Sequence, residues 1–408
     1  MKPAPSFLSA LACTLAMGVA HAQSDAPLAS TFIYDADLLA NLRGGAGRGQ
    51  SYQGLLRWQT SFDAEKALGW TGASAYFNVM AAHRAGRQLL TGDAQGVDNI
   101  AAPSGVRLEE AWVQQNFFDN RLSLLAGRYD LNSEFYRLNS AGLFLNSSFG
   151  IGAEFAASGQ GGPSIFPATS LGVRLEAKPS PGMVLRAALL DGAPVDREGG
   201  AAVAPRRADG VLAVLEVAWV DRPAAGSHQG DRRFLIGRAS GLDPYQDKVA
   251  VGTWHYTANF DDLSDVGADG NPLRRRGSSG AYIVADKLLY QAPADKPGKL
   301  AGFVQLGRAD ARVNRFDAYL GLGMVATGFV PGRPDDEFGL AVASARNGRH
   351  YLQTGPARRA ETTIELAYLG QFTKRVSLAP NLQYVIHPDT VVRRPNALTF
   401  QLRAEVAF

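Results

Sequence analysis

The sequence is short of cysteine: among 408 residues only Cys13 is one, inside the first apolar stretch. Lys2, the apolar core from Phe7 to Ala20 and the small-x-small site Ala20-His21-Ala22 predict an exported protein, with residues 1–22 removed as a signal peptide. Ala10 stands where a lipoprotein would carry leucine, so lipidation at Cys13 is not expected. The mature segment, 23–408, then contains no thiol, and disulfides are excluded as its source of stability. Long hydrophobic runs are missing too. The most apolar stretch beyond the leader, Val211 to Val220, carries Glu216 and falls well short of the ~20 residues a membrane helix needs. Nor is there an excess of one charge. The net charge is +3 with no basic tract, so no nucleic-acid partner is expected.

What the chain has instead is alternation. At the C-terminus Leu398, Phe400, Leu402, Ala404, Val406 and Phe408 are apolar, and Thr399, Gln401, Arg403 and Glu405 between them are polar. The same two-residue period runs through Ser51 to Phe62, Thr169 to Lys178, Thr363 to Phe372 and Ser377 to His387. Two-faced segments of roughly ten residues, divided by Gly, Pro, Asn and Asp, are the pattern of an all-β transmembrane antiparallel barrel. Lipid cannot satisfy backbone N–H and C=O groups, so such a sheet must close on itself, and the last strand is needed to pair with the first.

Closure with both termini at the periplasmic end requires an even strand number. That requirement sets aside the short, charge-hemmed segment Arg232 to Gly241 and leaves about 16 strands. Asp221 to Lys248 then becomes a long periplasmic connection, and Leu131 to Pro167 and Asp261 to Arg276 fall at the external end. Leu131 to Pro167 is too long for a simple connection. Its aromatics, Phe135, Tyr136, Phe144, Phe149 and Phe166, predict a loop folded into the lumen as a constriction, one side packed on the wall and the other facing the pore.

The motifs GRYDLNSEF (Gly127 to Phe135), LFLNSSFGIG (Leu143 to Gly152), GPSIFPATSLGVRL (Gly162 to Leu175) and LLDGAP (Leu189 to Pro194) resemble the carbohydrate-selective porins of the OprB type. So do Asn314 to Ala343, ETTIELAY (Glu361 to Tyr368) and LAPNLQYVIHP (Leu378 to Pro388), in order over most of the mature chain. The match is thinnest at Gly86 to Ser104 and Asp221 to Lys248. The resemblance implies an outer-membrane channel of a Gram-negative cell for passive diffusion of glucose and similar sugars, with charged residues at the constriction. A terminal aromatic such as Phe408 is similar to the signal by which the barrel-assembly machinery recognises its clients.

Hexoses are neutral and rich in hydroxyls, so a weak site for them needs paired donors and acceptors with an aromatic face. Binding must stay weak, or the site blocks its own channel. Arg128, just before the loop, and Asn132, Glu134 and Arg137 within it are the first candidates for the constriction. Glu110 and Trp112 join them from a preceding strand on which Leu108, Gln114 and Asn116 would share their face. Glu134 and Arg137 could equally pair with each other to hold the loop. Trp58, Trp70, Trp112, Trp219 and Trp254 read first as girdle or packing residues, and Arg57, Arg174, Arg186 and Arg403 as wall arginines that keep the lumen wet.

Two other functions compete. A general small-solute porin would use the same fold with different side chains at one constriction. A barrel enzyme would need an activated nucleophile beside a base, and none of His83, His228, His255, His350 and His387 lies in a recognisable signature. No cofactor is implied, and no metal: Asp261, Asp262, Asp265 and Asp269 lack an EF-hand pattern and read as an ordinary acidic loop. The expected contacts are mono- or small oligosaccharides, outer-membrane lipid and lipopolysaccharide. The pattern leaves monomer and homo-oligomer equally open.

Overall fold

The structure, a computed structural model, describes residues 26–87, 90–194, 209–221, 247–293 and 297–408. Sixteen antiparallel strands form one closed barrel in which every strand pairs with its sequence neighbours and the last closes on the first. The first five are β1 (Leu28–Arg43), β2 (Gly49–Asp63), β3 (Ala73–Gly86), β4 (Gly105–Phe117) and β5 (Leu122–Tyr129). Next come β6 (Ser170–Ser180), β7 (Met183–Asp191), β8 (Val211–Val220), β9 (Lys248–Val266), β10 (Pro272–Gln291) and β11 (Lys299–Ala309). The last are β12 (Phe316–Thr327), β13 (Glu337–Asn347), β14 (Ala360–Thr373), β15 (Val376–Ile386) and β16 (Ala397–Ala407). The rejected segment Arg232 to Gly241 and the leader lie outside the described residues.

Alternation decides which side chains face out. On β6, Val173 and Leu175 are each 45% exposed on the outer surface, and Arg174 and Glu176 between them point into the lumen, buried. The closing seam follows the same rule, with Tyr34 opposite Val406 and Leu38 opposite Leu402 on the outside, and Asp37 opposite Arg403 within. Phe408 completes it. Its N–H donates to the Phe32 carbonyl, the Phe32 N–H returns a bond to its carbonyl, both at 2.9 Å, and the two rings stack 6.2 Å apart. Trp58 stacks on the other side of Phe32, so aromatics rim the end of the barrel that carries the termini.

Two expectations need correcting. Asp261 to Arg276 is not a loop. β9 and β10 run on as a tall hairpin, and only 267–271 turn. On β4 a bulge slips the register, so that Asn78 of β3 pairs with Glu110 but Val79 pairs with Leu108. The extra residue turns both Glu109 and Glu110 inward and leaves Leu108 outside, not on the face of Trp112 and Gln114 as alternation alone implies.

Candidate functional site: the loops that narrow the lumen

The chain between β5 and β6 leaves the outer end of the barrel and folds inside it. Phe135, Tyr136, Phe144, Phe149 and Phe155 are buried at 1% exposure or less. They pack on wall aromatics, with Phe155 stacked on Trp254 at 4.9 Å, Tyr136 against Tyr282 at 4.3 Å and Phe144 against Phe303 at 5.8 Å. This apolar contact fixes the loop's underside, as its aromatic content predicts.

Polar anchors fix its path. A loop backbone inside a wide lumen has no sheet partners, and wall carboxylates take that role. Glu216 of β8 accepts from the Tyr136 N–H at 2.9 Å. Asp286 of β10 accepts from the Ser140 N–H at 2.8 Å and from its hydroxyl. Glu365 of β14 accepts from the N–H groups of Leu145, at 2.6 Å, and Asn146, at 3.1 Å. Neutral wall groups serve the loop's carbonyls: Gln305 donates to Phe149 and the Tyr319 hydroxyl to Ser148, each at 2.8 Å. The loop therefore crosses from β8 to β14, dividing the lumen.

A second inward segment was not foreseen. Residues 90–102, between β3 and β4, also fold into the barrel. The Ala94 and Gln95 N–H groups donate to Glu361 of β14 at 2.8 and 2.9 Å. The segment bonds the long loop directly through Asn99 N–H to Leu145 carbonyl and Ser147 N–H to Gly96 carbonyl, at 2.9 and 2.7 Å. Asp98 reaches Arg403 at 3.2 Å, and burial pushes its carboxyl up. The sequence offered little signal here, because polar turn residues read the same whether a loop faces water outside or lumen within.

The six candidate residues separate into distinct positions. Glu134 is buried and gripped by Arg174, which donates from Nε at 2.9 Å and from Nη2 at 3.0 Å, with the Tyr129 hydroxyl at 2.5 Å. Arg174 is thus a brace for Glu134 from the wall. Asn132 donates to the carbonyls of Phe135 and Gly150 and shapes the loop. Glu110 accepts from Trp112 Nε1 and from the Asp130 N–H, each at 3.3 Å, and the Trp112 ring stacks on Tyr76 at 5.2 Å. Arg137 is exposed on the loop, and its backbone carbonyl accepts from Lys248 Nζ at 2.9 Å. Arg128 is not brought to the constriction. It pairs in register with Ala111 and Leu171 on the outer face and donates to Leu108 carbonyl and Thr169 hydroxyl. Trp112 and Trp254 are buried inside the barrel, and Trp58, Trp70 and Trp219 stand on its outside.

Several largely buried wall cations of the lumen meet a carboxylate, whereas Arg84 of β3, on the inner face opposite Gln53, is exposed and makes no ion pair among the described residues. Arg57 pairs with Asp35, Arg403 with Asp37, Arg186 with Glu176 and Glu216, and Lys248 with Glu216 at 3.5 Å. On the loop itself Glu154 is 1% exposed. It accepts from the Tyr136 hydroxyl at 3.1 Å, and its Oε2 has no hydrogen-bond partner among the described residues. Burial pushes its carboxyl up to about 7. It lies against Gly307 of β11, where a Cβ would stand 1.8 Å from Oε1, so only glycine lets the carboxyl in. On the tall hairpin Asp262 and Asp265 lie together with His350, whose Nδ1 is 3.0 Å from Asp262. Arg274 takes Asp261, Arg275 takes Asp262 and Asp265, and Asn271 takes Asp269.

Comparison with known proteins agrees with this architecture. The model of the family described as carbohydrate-selective porin, OprB family, matches residues 47–408. Porin B of Pseudomonas aeruginosa is 25% identical over 92% of this chain and 86% of its own. OprB of Pseudomonas putida, in its high-pH structure, superposes with a TM-score of 0.79 at 21% identity, covering 94% of both chains. The anion-selective porin of Comamonas acidovorans shares the fold more loosely, with a TM-score of 0.53 at 14% identity over 93% of this chain and 99% of its own. The chain belongs to the OprB family of carbohydrate-selective porins, a sixteen-stranded barrel of the Gram-negative outer membrane.

Proposed function

We propose that the channel passes glucose and similar monosaccharides down their gradient, with no chemistry on the solute and no cofactor, and that selection occurs where the two inward loops meet the wall. The observation that carries this reading is the pairing of the lumen charges. Arg57, Arg186 and Arg403 each face a carboxylate, which offsets their charge locally and leaves a dense array of oriented donors and acceptors along the wall. Such an array suits a neutral polyol, which can exchange water hydrogen bonds for wall hydrogen bonds at little net cost.

Within that reading the six candidates divide by task. Arg137 contacts the solute from the loop rim. Glu134 and Asn132 hold the loop, and Glu110 and Trp112 form the wall behind it. Arg128 takes no part. Residues 1–22 direct export and are removed, and Phe408 presents the closing strand to the assembly machinery. The test is the ion current through single channels of the full protein in a planar bilayer. Added glucose should lower the current in a saturable way as sugar occupies the constriction. A current indifferent to glucose at all concentrations would favour a general small-solute porin.

A further inference from the structure

On the outside of β9 to β12 the apolar band ends along a single level. Val251, Ile283, Leu306 and Leu320 lie side by side in register there, 44%, 47%, 45% and 38% exposed. One step toward the loop end, about 7 Å along the strands, the level is Thr253, Ala281, Arg308 and Ala318. Beyond it His255 donates to or accepts from Ser279 at 2.7 Å on the same outer face. The β10 backbone then bulges at Gly277, whose φ of +78° suits glycine and where a Cβ would stand 2.7 Å from the His255 ring. The bulge brings Arg276 onto this face opposite Asn259.

Arg308 and Arg276 are both exposed, and neither has an ion-pair partner among the described residues. The nearby carboxylates are already engaged: Asp261 by Arg274 at 2.8 Å, and Asp310 by Arg312 at 2.7 Å. Two unneutralised guanidinium groups therefore sit where hydrocarbon gives way to headgroups. Guanidinium groups favour phosphate oxygens, which they can grip with paired N–H donors.

We propose that Arg308 and Arg276, with the His255–Ser279 pair between them, form a binding site for the phosphates of anionic outer-leaflet lipid. The acyl chains would lie on Val251, Ile283, Leu306 and Leu320. The site rests on the porin reading only for its orientation, with the loop end facing outward. Its place against the apolar band selects a lipid phosphate over a free one, because only a lipid satisfies both levels at once.

The test titrates the full-length barrel in micelles with diphosphoryl lipid A, with dephosphorylated lipid A and with inorganic phosphate, reading bound lipid by native mass spectrometry. The wild type should prefer the diphosphoryl form at least tenfold, and Arg308→Gln/Arg276→Gln should abolish the preference. Arg308→Lys should keep part of it, and Arg274→Gln, which removes an arginine already paired, should keep nearly all. An unchanged preference in the double variant would overturn the site, as would inorganic phosphate competing fully at millimolar concentration. Glucose uptake by liposomes carrying the double variant should equal the wild type, since neither side chain faces the lumen. Its loss would overturn the assignment to a surface outside the channel. Lipid preference with no glucose uptake even in the wild type would count against the channel reading alone.

Discussion

Arg174 of the wall holds Glu134 of the inward loop through two parallel hydrogen bonds, with both side chains at most 5% exposed. Breaking a buried pair from one side strands the other charge, at a cost of about 3–5 kcal/mol. Arg174→Met should therefore loosen the start of the loop. We expect a lower denaturant midpoint for the folded barrel and a larger, noisier single-channel conductance. Conductance and midpoint both equal to the wild type would show that the pair does not hold the loop.

Glu365 gives both carboxylate oxygens to loop N–H groups, at Leu145 and Asn146. In Glu365→Gln one acceptor becomes a donor facing another donor, with a loss of about 1.5–3 kcal/mol per charge-assisted bond. Hydrogen exchange should accelerate at Leu145 and Asn146 and stay slow in the neighbouring strands. Uniform protection throughout would contradict the anchoring.

Arg137 and Arg128 should behave oppositely, although the two arginines are close in sequence. Arg137→Ala should leave the barrel's heat resistance intact and reduce glucose preference severalfold in liposome swelling. Arg128→Ala, on the outer face, should change neither. Equal effects of the two on sugar preference would contradict this division.

Glu154 makes loop packing sensitive to pH. Burial raises its carboxyl to about 7, above the 4.5 it has unfolded, so the protonated form is the one the folded loop favours. The stability it contributes is full below about pH 4.5 and is lost as pH rises through 7, up to about 3 kcal/mol in all. Glu154→Gln should remove that dependence and match or exceed the wild type above pH 7. A wild-type loop equally protected from exchange at pH 5 and pH 8 would rule it out.

Phe408 closes the barrel through a reciprocal pair of backbone bonds and a stacked ring on Phe32. Phe408→Ser keeps the backbone pairing and loses the ring. We expect less heat-modifiable barrel in outer-membrane fractions, with the unfolded form accumulating. Wild-type yields would show that the aromatic terminus is dispensable.

The barrel was legible because a period of two is a direct record of lipid on one side and water on the other. The even strand number followed from closure, a global constraint, and the barrel has sixteen strands. Individual roles were less legible. A single bulge at Glu109 moved Leu108 to the outer face, and no pattern of apolar residues marks where a strand will slip. Glu134 and Arg137 invited pairing because they are three apart, and spacing gave no sign that Arg174, forty residues on, also holds the carboxylate. The clamp of wall carboxylates on loop N–H groups was hidden for the same reason. It joins residues up to 267 positions apart, Glu361 with Ala94, whose relation exists only after closure.

The most direct test of the channel reading is liposome swelling by the purified full-length barrel, comparing glucose with neutral amino acids of similar size. Glucose influx clearly faster than that of the amino acids is the expected result. Equal rates for every solute, or no swelling from folded barrel, would contradict it.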